Sequence, residues 1–184
     1  MKKIVFSIWG LLVIFFHSCD TKSNGPEVDN IDFYIGMTGL DSLQLGMTKA
    51  ELEDLLDTSL NLKHIHVDGG PYDTFRTKYK GVEIMIYLYE SDDQTVATLY
   101  GLQSSDPSCK TVAGIGMGTE KAKVIDAYSN NKKYIAPEYE KYPLRSKIKS
   151  VIAVMDTFES RALLFHIINR KVSSIEVSSY YEFD

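Results

Sequence analysis

Cysteine is almost missing from this chain. Cys19 and Cys109 are the only two in 184 residues, so at most one disulfide can form. Arginine-rich runs are absent, and acids outnumber bases by 25 to 20. A surface of that balance lacks the footprint for nucleic acid phosphates, which speaks against nucleic acid as a partner. No apolar run reaches the roughly 20 residues that a membrane-crossing helix needs. There is no Gly-x-Ser-x-Gly elbow, Walker loop, His-Glu-x-x-His or Cys-x-x-Cys. Heptads, low-complexity tracts and Pro-rich ligand segments are missing too. Acid pairs such as Glu51/Asp54 and Asp92/Asp93 fall on exposed helix or turn positions, with nothing apolar nearby to drive their pKa values apart. The expectation is a protein that is not an enzyme and holds no cofactor and no metal.

What is present begins at the N-terminus. Lys2 and Lys3 precede the 13 almost entirely apolar residues Ile4–Phe16, and the small Ser18 precedes Cys19. A positive region, a short apolar region and a small residue make a secretion signal. An ordinary cleavage site wants small residues at −1 and −3, and Phe16 occupies −3. Removing residues 1–18 takes the formal charge from −5 to −7, because Lys2 and Lys3 leave with no acid. Residues 19–30, polar with Gly25-Pro26 in their middle, read as a flexible tether.

The mature chain is organised around a stretch that occurs twice. Leu45-Gly46-Met47-Thr48 runs into the helical pattern Lys49–Asp57, and Ile115-Gly116-Met117-Gly118-Thr119 runs into Glu120–Tyr128, 70 residues on (46 to 116). In the first, Thr48 is a preferred N-cap, Glu51 at N3 completes a capping box, and Met47 can staple against Leu52. Leu52, Leu55 and Leu56 form the inner stripe. In the second, Gly118 or Thr119 is the expected cap, and Ala122, Ile125 and Tyr128 the inner stripe.

Strand patterns surround these helices. Ile31, Phe33 and Ile35 alternate with polar residues, and Asn61–Asp68 alternates again. Tyr72–Tyr79, Val82–Tyr89 and Thr95–Gln103 follow the first helix, with hairpin turns at Tyr79-Lys80-Gly81 and Ser91-Asp92-Asp93. Ile148–Asp156, Ala162–Asn169 and Lys171–Ser179 follow the second. Ser104–Lys110 reads as a boundary, and Asn130–Ser146, with Pro137 and Pro143, as a long connection. The fold expected is α+β: two tandem units, 31–108 and 109–184, each a helix plus a three-stranded antiparallel sheet.

Two resemblances add to this reading. Phe16-His17-Ser18-Cys19 resembles the lipobox of bacterial lipoproteins, with Ser18 and Cys19 matching and Phe16 and His17 departing from the usual residues. It implies a diacylglycerol on Cys19, cleavage before it, and a lipid anchor in the cell envelope, with the leaflet open. If Cys19 were unmodified, a disulfide to Cys109 would remain open. Leu45–Leu56 and Lys110–Tyr128, with their element order, resemble the β-lactamase-inhibitor-protein-like fold and the small outer-membrane-assembly lipoproteins of the SmpA/OmlA type. That resemblance implies a scaffold that binds an envelope protein through its sheet or loops.

The binding residues expected are Tyr87, Tyr89 and Met85. Val82, Ile84, Ile86 and Leu88 take one face of their strand, leaving Glu83 and these three on the other, and exposed tyrosine suits recognition surfaces. Tyr134, Tyr139 and Tyr142 are a second tyrosine group. The alternative function is a metal-dependent envelope enzyme using His64-x-His66-x-Asp68, whose side chains would share one strand face; its plain counterpart is a polar strand edge. His166, between Leu163 and Ile168, is expected in a core strand.

Overall fold

The computed structural model describes residues 33–61, 66–67, 70–90, 96–141, 143–156, 158 and 160–179. A small sheet comes first: β1 (Phe33–Gly36), β2 (Gly39–Leu40) and β3 (Leu43–Gln44), joined in parallel across β1 by β8 (Cys109–Lys110). The large sheet is antiparallel throughout. Its strands are β4 (His66–Val67), β5 (Gly70–Tyr79), β6 (Val82–Glu90), β7 (Ala97–Ser104), β9 (Lys133–Lys141), β10 (Leu144–Met155), β11 (Ala162–Ile168) and β12 (Lys171–Ser178). They run in the order β4-β5-β6-β7-β12-β11-β10-β9. Among the described residues there are two helices, α1 (Lys49–Leu56) and α2 (Lys121–Ala127).

The expected α+β class is therefore corrected. The described residues are mostly β, with 57% strand against 12% helix. Each helix is about two turns long and fully buries one side chain, Leu52 in α1 and Val124 in α2. The strands of both halves form one sheet through the β7–β12 pairing, with Leu102 opposite Val177, instead of two three-stranded sheets. Part of the miss lies at 130–146. Its prolines suggested a connection, but it forms β9 and the start of β10, and Pro137 sits on the sheet's outermost strand, where a missing ladder N–H is tolerated. One core, from Phe33 in β1 to Val177 in β12, takes side chains from both halves and from Cys109.

Helix α1 starts as its residues dictate. Thr48 accepts from the Glu51 N–H at 3.3 Å, and the Glu51 carboxylate accepts from the Thr48 N–H at 2.7 Å. The helix ends at Asp57, which adopts a left-handed conformation (φ 47). Helix α2 differs from expectation: its N-cap is Glu120, which makes no side-chain capping bond, and Ala122 is exposed while Val124 is buried.

The two helix entries are nonetheless built alike, 72 residues apart (48 to 120). Gly46 N donates to Leu99 O at 2.8 Å and Leu99 N to Met47 O at 2.7 Å. Gly118 N donates to Val172 O at 2.8 Å and Val172 N to Thr119 O at 2.9 Å. Gly118, and not Gly116, thus stands where Gly46 stands. Both have positive φ, 89 and 77, which glycine adopts without a Cβ penalty.

Asp41 ties the small sheet to the β5–β6 turn. Its carboxylate accepts from Lys80 Nζ at 2.6 Å and Tyr79 Oη at 3.0 Å, and these bonds hold its pKa below the ordinary carboxylate value. The two halves of the large sheet differ on the face turned from the core. On β6 the burial alternates, so that face is half-open. On β10 and β11, Val151, Ala153, Met155, Ala162 and Leu164 form a second buried apolar cluster. The unbroken run Val151–Met155 is what a strand covered on both faces requires. Among the described residues, no helix is long and apolar enough to cross a membrane.

Candidate functional site

Strand β6 places the expected binding residues as its alternation requires. Val82, Ile84, Ile86 and Leu88 are buried in the core, while Met85, Tyr87 and Tyr89 are half-buried on the opposite, outer face. Registers carry that face across the sheet: Arg76 opposes Met85, Met85 opposes Gln103, and Gln103 opposes Glu176. A shallow cavity of about 70 Å³ lies there, lined by Arg76, Glu83, Met85, Gln103 and Ser105 among others.

Tyr87 is held more firmly than an ordinary exposed tyrosine. Its ring lies over Gly101, the residue opposite it on β7. Its hydroxyl donates to Gln103 Oε1 at 3.3 Å, and Gln103 Nε2 donates to Ser174 Oγ at 3.1 Å. Burial, with a further push from the Glu176 charge, raises the phenol well above the ordinary tyrosine pKa. It is a neutral hydroxyl at every physiological pH. Tyr89 approaches Tyr100 with ring centroids 6.3 Å apart, a tilted aromatic pair.

The polar row continues to His166, opposite Ser174 in the β11–β12 register. Its Nε2 lies 3.0 Å from Glu176 Oε2 and its Nδ1 3.3 Å from Glu138 Oε1. Burial pulls the imidazole pKa down, but the hydrogen bonds and charges of Glu176 and Glu138 outweigh it, and the net shift is upward. His166 is therefore not a core histidine. Its neighbours Leu163, Phe165 and Ile167 face the core, and the period of two turns His166 the other way. Only strand order could reveal Glu138 and Glu176 as its partners.

Each ring nitrogen faces a carboxylate, so His166 ties β9, β11 and β12 together, and the two charges favour its protonated form. Among the described residues no group of three His, Cys, Asp or Glu side chains could hold a metal ion. His64 and Asp68 of the alternative cluster lie outside the described residues, and of His66 the backbone pairing with Pro71 is what the structure describes. Cys19 and the signal segment also lie outside them. Cys109 is a free thiol buried on β8; burial raises its pKa against the opposing bond to Ser104 Oγ at 3.3 Å. Tyr134 and Tyr139 are exposed on β9, beside Lys132 and Arg145 respectively. Tyr142 is outside the described residues.

Comparisons with protein-family models, curated proteins and solved structures give no match.

Proposed function

We propose that this protein is a lipid-anchored module of the bacterial envelope that binds another protein, without catalysis, through the outer face of its sheet around Met85, Tyr87 and Tyr89. The observation that carries the reading is the alternation on β6: one face is spent on the core, and a methionine and two tyrosines remain on the other. Aromatic and methionine side chains are enriched where protein surfaces meet. Anchoring rests on Lys2-Lys3, the short apolar run and Ser18-Cys19, followed by a tether long enough to hold the sheet off a membrane.

The test uses two variants in the native host. Cys19→Ala should lose fatty-acid labelling and persist as a longer precursor. Met85→Ala/Tyr89→Ala should keep its lipid and its fold but lose a crosslinked partner seen with the parent protein. A folded double variant that retains the same crosslink would remove the site from this face.

A further inference from the structure

A cavity of about 250 Å³ opens where the start of α2, the β11–β12 turn and the irregular part of β10 meet. Among the described residues Lys121, Lys147, Lys149 and Arg170 line it and no carboxylate does. Lys149, next to the core-side Ser150, turns its side chain to the opposite face and lines the cavity through its backbone side, so the cations on offer are Lys121, Lys147 and Arg170. That is a concentration of positive charge on a chain whose net charge is −5. None of the three takes part in an ion pair among the described residues; Lys121 Nζ donates to Ser150 Oγ at 3.1 Å. Ile148 and Ile135 give the cavity an apolar wall, and about half of each remains exposed (51% and 47%). This place is separate from the outer-face row: Ser150 and Ile167 oppose each other on the core side of the sheet.

The local backbone is built to open it. Between Arg145 and Ser150, β10 carries four residues where β9 carries only Glu138, between Tyr139 and Pro137. The buried Ser146 pins this bulge. Its Oγ donates to Glu140 Oε1 at 2.9 Å and accepts from the N–H groups of Lys149 and Ile148 at 3.1 and 3.3 Å. Such bulges re-aim side chains beside functional sites. Arg170 stands at φ 67, after Asn169 at φ 50, in a two-residue hairpin turn where glycine is the favoured second residue. Its carbonyl accepts from Lys121 N at 2.8 Å, so turn and helix are joined.

We propose that this cavity binds the phosphate group of a phosphomonoester, with the ester's organic portion against the isoleucine wall. Three cations without an ion pair among the described residues suit a dianion better than a single carboxylate, and phosphate offers each a hydrogen-bond acceptor. The volume lies just below the roughly 300 Å³ at which drug-sized pockets begin, which suits a phosphate with a short attachment.

The experiment titrates the full lipidated chain, purified in zwitterionic detergent, with glycerol 3-phosphate, inorganic phosphate and dihexanoyl phosphatidate, and follows the heat of binding. At least one phosphate probe should bind saturably, and sodium chloride at matched ionic strength should not reproduce the heat. Lys147→Ala/Arg170→Gly should weaken binding at least about tenfold through two lost charge-assisted contacts. Both positions are exposed, and glycine suits the turn, so this variant folds. Lys78→Ala, exposed on distant β5, should leave binding unchanged. Preference for glycerol 3-phosphate identifies a soluble ester as the source, and preference for phosphatidate a lipid headgroup; either supports the site. No saturable heat with any probe, or equal binding by the double variant, overturns it.

Discussion

Gly101 is the position at which the outer face can be tested most sharply. A Cβ there would lie 3.1 Å from Val177 O, 3.2 Å from Tyr87 Cδ2 and 3.6 Å from Ser178 Cα. The first contact cannot recede freely, because Val177 is paired with Leu102 in the ladder. The second can, but only by swinging the ring that is bonded to Gln103. Overpacking of this kind costs about 1–3 kcal/mol, and replacing glycine returns about 0.4–1 kcal/mol through the unfolded chain. The net expectation for Gly101→Ala is a loss of up to about 2.6 kcal/mol, centred on about 1.3 kcal/mol. In a Tyr87→Ala background only the carbonyl contact remains, so the same substitution should cost less, with a coupling of about 0.5–1 kcal/mol. Urea unfolding of the four proteins, followed by far-UV circular dichroism, measures this directly. Additivity of the two changes, or a stabilising Gly101→Ala, would refute the packing of Tyr87 over Gly101.

The remaining predictions concern the core, the helix entry and the histidine. Leu52→Ala removes a side chain with no exposed surface and should cost about 2–5 kcal/mol, against about 0.5–2 kcal/mol for the cap change Thr48→Ala; reversal of that order in denaturant midpoints would contradict the α1 packing. His166 has a folded pKa raised above 6.5, so the stability it contributes is fully present below about pH 6.5 and is lost as pH rises through the raised value. His166→Gln should flatten the stability–pH curve in that window, and an unchanged slope would mean that Glu138 and Glu176 do not hold the ring as a cation.

Local chemistry was legible where one short stretch contains all its partners. Thr48 and Glu51 are three residues apart, and their capping box forms as the pattern demands. The β6 faces follow from alternation alone. What could not be read is what depends on strands distant in sequence. β8 pairs in parallel with β1 although Cys109 lies 76 residues beyond Phe33 (33 to 109), and nothing in Cys109-Lys110 announces a strand two residues long. The same distance hid the shared sheet. A hairpin motif specifies its own turn, whereas the β7–β12 pairing needs two edges to meet, and no turn residue encodes that. The matching Gly-Met pairs also misled: Gly116 resembles Gly46 in its neighbour, but Gly118 has the positive φ and the bond to the last strand.

The outer face then divides by what each half can offer a partner. On β10 and β11 the apolar side chains Val151, Ala153, Met155, Ala162 and Leu164 are already buried, so they have little surface left to contribute to association. On β6 the residues opposite Gln103 and Gly101, Met85 and Tyr87, are only half-buried, so docking would remove further apolar area from water. Beside the β10–β11 cluster runs the Glu138–His166–Glu176 tie, reaching from the edge strand β9 to β12, whose two carboxylates and one imidazolium carry a net charge of −1 while the ring is protonated. A partner covering Met85 and Tyr87 would meet that charge at its margin, beside Gln103 and Ser174. Apolar contact flanked by polar groups is the arrangement in which buried aromatics contribute most, because the surrounding contacts exclude water. A complementary surface would thus carry a pocket for Met85 and the Tyr89 ring, and a lysine, arginine or amide donor toward Glu176.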